Sequence, residues 1–170
     1  EDPYVRLARK TVETYIKTGS KPDMPKGLPD EMYLRRAGVF VSIKEEGRLR
    51  GCIGTIAPVR ENIAEEIVEN AISAAVHDPR FAPIRPWELD KLIYSVDVLG
   101  RPEEISSKDE LNVKRYGVII SKGFKRGLLL PDLEGVDSVE EQVAIAKRKA
   151  GIPAYENDVM LQRFEVIRHH

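Results

Sequence analysis

The chain has 170 residues, enough for one substantial core, or a main core with a smaller lobe, without a disulfide or metal staple. Its 27 lysines and arginines nearly balance 28 aspartates and glutamates, leaving a formal net charge of -1, so no global field draws nucleic acid or anionic lipid, although a local basic patch stays open. The single cysteine excludes an internal disulfide, no apolar run approaches the ~20 residues of a membrane span, and no secretory pattern opens the chain, so a reducing, cytoplasmic setting is expected.

Residues 4–18 place Leu7, Ala8, Val12, Tyr15 and Ile16 on one face, a helical pattern that Gly19 ends. Pro22, Pro25, Gly27 and Pro29 then make a surface connection. Residues 39–43 pair with 49–56 across Glu45-Glu46-Gly47, a hairpin that presents Cys52 between Gly51 and Gly54. Asn62 caps a helix that runs to about His77, with Ile63, Ile67, Ala71, Ala74 and Ala75 inward and Glu65, Glu66 and Glu69 solvated.

The segment from Asp78 to Pro86 is rich in proline yet carries both charges and Phe81, which suits a fixed loop. A short helical turn at Trp87 precedes a strand over 93–99, and another turn over 107–111 precedes a second hairpin. There, residues 117–121 and 128–130 form the strands and Lys122 to Gly127 the turn. Ser138 and Glu141 have capping-box spacing for a helix stopping before Gly151, and residues 159–167 return as one strand into the main sheet. No fixed-period repeat appears. These elements predict an α+β fold, a mainly antiparallel sheet flanked by helices with a smaller subregion, forming a single domain over 1–170.

A thiol between glycines is the strongest chemical signal, because thiols are nucleophilic near neutral pH and glycines let a ligand or backbone come close. Cys52, His77 and Asp78 are the candidate catalytic residues: a nucleophile or radical carrier, and two groups for proton transfer or orientation. Arg50, Gly51, Gly54, Arg80 and Glu88 are candidates for substrate binding. Arg50 would share the face of Cys52 in a regular strand, and Arg80 adds a second planar donor fork.

Each residue also has a structural reading. Cys52 can be a small buried hydrophobe, the glycines can serve packing, and Asp78 with Arg80 can lock a loop. Lys122, Lys125 and Arg126 form a basic turn that could hold a phosphate or a partner's acidic edge, or simply sit in solvent. No P-loop, cysteine cluster or histidine–carboxylate metal pattern is present, so no cofactor or metal is assigned. The terminal His169 and His170 are read as a tail or tag, outside the chemistry.

Leu49-Arg50-Gly51-Cys52-Ile53-Gly54, Asp78-Pro79-Arg80-Phe81-Ala82-Pro83, Glu88-Leu89, Gly127-Leu128-Leu129-Leu130-Pro131 and Lys149-Ala150-Gly151 resemble, in order, the AMMECR domain family, protein A of the AmmeMemoRadiSam system. The resemblance implies an α+β domain with a larger and a smaller subregion. It also implies two partners, a MEMO-like protein related to extradiol dioxygenases and a radical S-adenosylmethionine enzyme, and allows this chain to be the C-terminal part of a MEMO-like fusion. It transfers no catalytic residue set and leaves enzyme status open. The leading expectation is a Cys-centred pocket acting on or presenting a small substrate. The alternative is a non-catalytic adaptor whose pocket or basic turn binds a protein, with RNA the weaker branch because the net charge is near zero and no RNA-binding motif is present.

Overall fold

The computed structural model describes residues 1–170. Helix α1 (Pro3–Thr18) starts where Asp2 accepts hydrogen bonds from the backbone N–H groups of Tyr4 and Val5, and stops where Gly19 turns left-handed. A short helix α2 (Asp30–Leu34) leads into the hairpin β1 (Val39–Glu45) and β2 (Arg48–Gly54). Glu46 and Gly47 both have positive φ, as a two-residue type I′ turn requires. Helix α3 (Ile63–Val76) follows, capped by the side chain of Asn62, and a 3₁₀ turn (Pro86–Lys91) precedes β3 (Leu92–Leu99).

The rest of the chain runs through β4 (Glu103–Ile105), the hairpin β5 (Gly117–Lys122) and β6 (Lys125–Leu129), α4 (Val139–Ala150), β7 (Met160–Phe164) and β8 (Val166–His169). The β1–β2, β1–β3, β4–β7, β5–β6 and β5–β7 pairs are antiparallel, within two four-stranded sheets ordered β2-β1-β3-β8 and β4-β7-β5-β6. The α+β class and antiparallel pairing are as the sequence predicts. Two compact units carry these sheets: residues 1–99 with 167–170, and residues 100–166.

Each unit has its own apolar cluster. In the first, Leu7, Ala8 and Val12 of α1 and Ile63, Ile67 and Ala71 of α3 cover Val39, Val41, Ile43 and Val96, all almost fully buried. Each large aliphatic side chain so buried contributes about 1.5–3 kcal/mol of transfer free energy. In the second, Val143 and Ala146 of α4 cover Val118, Ile120 and Leu129.

Both units are built as hairpin, helix, then a third strand beside the hairpin's first, giving β2-β1-β3 and β6-β5-β7. The sequence shows no repeat, yet the same glycine device recurs. A Cβ on Gly51 would lie 2.1 Å from the carbonyl oxygen of Ala74 in α3, and one on Gly127 would lie 2.1 Å from that of Ala146 in α4. In each unit a strand glycine lets a helix backbone rest directly on the sheet.

Three expectations change. Residues 159–167 are two strands broken at Glu165: Phe164 is buried in the second unit, whereas Arg168 pairs with Asp97 in the first. The Glu165 carbonyl, at the break, accepts from Gly100 N–H at 2.7 Å. The second hairpin turns on only Gly123 and Phe124, with Gly123 at φ 60 supplying the left-handed first corner, so residues 125–127 lie in β6. Glu66, expected in solvent, is buried and accepts from Val59 N–H, Arg60 N–H and Thr55 Oγ1, because the irregular segment after β2 needs acceptors for its backbone donors.

Gly51→Ala and Gly127→Ala should each destabilise the protein by about 3 kcal/mol, since the added methyl meets helix backbone rather than a movable side chain. Amide hydrogen exchange should show the loss concentrated in residues 1–99 for the first variant and in residues 100–166 for the second.

Candidate functional site

The first sheet has two faces with different chemistry. Val39, Val41 and Ile43 of β1 point towards the helices, and Phe40 and Ser42 point away. Ser42 pairs with Cys52 on one side and with Ser95 on the other, so a thiol and two hydroxyl-bearing residues form a row across three strands. Cys52 Sγ lies 3.3 Å from Ser42 Oγ, and Cys52 is partly exposed. In the next row Phe40 pairs with Gly54 and Asp97, and its ring occupies the space a Gly54 side chain would need. Asp97 is buried and receives two hydrogen bonds from Arg168, at 2.8 and 3.0 Å.

β2 is an edge strand, and the segment after α3 closes it. Asp78 Oδ2 accepts from Cys52 N–H at 3.0 Å, and Arg80 Nη2 donates to the Cys52 carbonyl at 3.3 Å, occupying the positions another strand would fill. Asp78 also accepts from Arg80 N–H, Nε and Nη2 at 3.0, 3.1 and 2.8 Å. The guanidinium of Arg80 is the main cause of a carboxyl pKa held down at about 2, against burial, with the two backbone donors assisting. Asp78 in turn raises the Arg80 pKa, to which the nearby Cys52 also contributes electrostatically.

Arg50 departs from the regular strand. The register passes from Lys44 opposite Leu49 to Ile43 opposite Gly51, which leaves Arg50 in a bulge. Its guanidinium grips Glu88 through Nε–Oε1 at 2.8 Å and Nη2–Oε2 at 3.1 Å, and donates to the carbonyls of Ala82 and Pro83. Arg50 is the main cause of the lowered Glu88 pKa, and Glu88 Oε2 also accepts Arg85 N–H at 2.6 Å. This bidentate pair fastens the loop to the strand.

The structure therefore brings Cys52, Asp78, Arg80, Arg50, Gly51, Gly54 and Glu88 onto β2 and the segment that closes it. Gly51 faces α3 and Gly54 lies under Phe40. His77 is exposed at the C-cap of α3. Lys122, Lys125 and Arg126 belong to the second unit, where Lys122 bonds to Asp158 and pairs with Glu156 while Lys125 and Arg126 are exposed. Ser42, Ser95 and Phe40 join the site without having been singled out in the sequence. Their signal was the outward phase of β1 and β3, readable only once both registers are known. His169 is no loose tail: its ring stacks on Tyr4 at 3.7 Å and its Nδ1 lies 2.8 Å from Asp2 Oδ2. No group of three or more His, Cys, Asp or Glu side chains gathers in a metal-holding arrangement, and no helix is long and apolar enough to cross a membrane.

An α+β protein with two helix-backed antiparallel sheets and a cysteine on a clamped edge strand is the class that these features define. The AMMECR1 family profile matches residues 5–169, and the chain belongs to that family. A Thermotoga maritima protein is 51% identical over 170 residues, covering 99% of this chain and 98% of its own length. A Clostridium acetobutylicum protein is equally similar, 51% identical over 99% of this chain, but the match spans only 36% of that longer protein. The crystal structure of a Pyrococcus horikoshii protein, 36% identical, superposes with a TM-score of 0.91 over 98% of this chain and 89% of that one.

Because the folded Asp78 carboxyl titrates near 2, below the ordinary value near 4, the native state binds that proton less tightly than the unfolded chain. Its contribution of about 1–2 kcal/mol, discounted for the half-exposed Arg80, is complete above pH ~4 and lost as pH falls towards 2. Urea unfolding from pH 7 to 2 should show this acid-side slope in the native protein and a shallower one in Asp78→Asn.

Proposed function

We propose that this chain is the AMMECR component of an AmmeMemoRadiSam system and that its Cys52 thiol acts on, or presents, a small substrate in concert with MEMO-like and radical S-adenosylmethionine partners. The observation carrying this reading is the thiol of half-buried Cys52, 3.3 Å from Ser42 Oγ on a strand whose backbone is held from the side by Asp78 and Arg80. Fixing the Cys52 peptide on both its N–H and C=O limits the thiol to side-chain rotation, the kind of positioning a reacting group needs. The Arg80 guanidinium stands beside Cys52, donating to its carbonyl, and Ser42 can donate a hydrogen bond to the sulfur. Phe40 offers an apolar platform beside the row, and Ser95 a further hydroxyl.

Within this reading Asp78 and Arg50 with Glu88 are positioning residues, since they bond to the β2 strand and to the loop that closes it. Arg80 does both: it clamps, and half of its side chain remains open to a ligand. His77 at the end of α3 is the candidate for moving a proton. Partnership with larger machinery is supported by the Clostridium relative, in which this domain is about a third of a longer chain.

Cys52→Ser should leave the thermal midpoint within a few degrees of the native value, because the hydroxyl fills nearly the same space, and should abolish activity reconstituted with the two partners. Full retained activity in the folded variant would reject a chemical role for the thiol. Alkylation of Cys52, followed by mass spectrometry, should be faster in the native protein than in Arg80→Gln at the same pH.

A further inference from the structure

The edge of the second sheet is built like that of the first but is not closed in the same way. β6 ends the order β4-β7-β5-β6, and the two-residue turn at Gly123–Phe124 makes Lys122 and Lys125 the first hydrogen-bonded pair. Alternation then directs the backbone N–H and C=O of Arg126 and Leu128 away from β5. No other segment supplies these groups with a backbone or side-chain hydrogen bond, whereas in the first unit Asp78 and Arg80 occupy the corresponding groups of Cys52. Lys125 and Arg126 are exposed along this edge, and the Phe124 ring stands fully exposed at its tip.

We propose that β6 takes up an extended acidic segment of a partner protein as an added antiparallel strand. Pairing with Arg126 and Leu128 offers about four backbone hydrogen bonds over a segment of about five residues, or ~17 Å. Lys125 and Arg126 select glutamate or aspartate at the facing positions, and Phe124 covers an apolar residue at one end. A second copy of this chain is a poor occupant, because antiparallel β6 self-pairing brings the basic residues of both copies together along one short edge. The inference is independent of the role of Cys52.

The probe is a fluorescein-labelled peptide of four glutamate–valine repeats, titrated with the whole protein and read by anisotropy, with amide hydrogen exchange locating the site. Binding should slow exchange at Arg126 and Leu128. Leu128→Pro, which removes an outward N–H and leaves the β5 ladder intact, should weaken it at least tenfold. Lys125→Glu with Arg126→Glu should do the same, and tests the idea even if the proline variant fails to fold. Absence of binding overturns the proposal, as do equal binding of a lysine–valine peptide, protection elsewhere, a dimer through β6 in sedimentation, or tighter binding of an oligouridine than of the acidic peptide.

Discussion

The Asp78 carboxylate is the constraint on which the arrangement of the first unit turns. It accepts four hydrogen bonds, three from Arg80 and one from the Cys52 peptide, and is almost wholly buried while doing so. A buried carboxylate is tolerable only when its charge is met by donors, and here the same donors tie the segment after α3 to the edge of the sheet. One group thereby ends the sheet, anchors a proline-rich loop and fixes the peptide that carries the thiol. Arg50 and Glu88 extend the clamp along the strand, and the bulge at Arg50 aims its guanidinium at the loop.

Glycine placement explains how helices lie so close to both sheets. At Gly51 and Gly127 the strand meets helix backbone at a distance that excludes any side chain, so residue identity there follows from packing alone. The Gly-Cys pair of β2 therefore faces two ways: Gly51 inward against Ala74, and Cys52 outward beside Ser42. The glycine next to the thiol thus reflects the helix behind the strand, while ligand access depends on the opposite face.

Much of the fold was legible because local chemistry and global packing agree. Asn62 and Ser138 cap the helices that their spacing announces, and Gly47 makes the first hairpin turn, whereas the Asp2 cap of α1 emerged only in the structure. What escaped depends on distant partners. Residues 159–167 alternate like one strand, and the pattern contains no sign that Phe164 and Arg168 belong to different sheets. Glu66 looks like any charged position on a helix until the segment it caps is placed against it. Of the site, Cys52 and its clamp residues were visible as a motif, but Ser42 and Ser95 entered only through cross-strand register, which sequence separation conceals.

The polar atoms already committed narrow what remains for chemistry. Arg50 and Glu88 are bonded to each other and to the loop backbone, and Asp78 is saturated by donors, so drawing any of them into ligand binding would loosen the edge that holds Cys52. Ser42, Ser95 and Phe40 carry their side chains outside that clamp, on the face of the sheet turned away from the helices. The clamp and the outward face thus divide the roles of this edge: one holds the Cys52 peptide through its N–H and C=O, and the other sets its side chain beside Ser42.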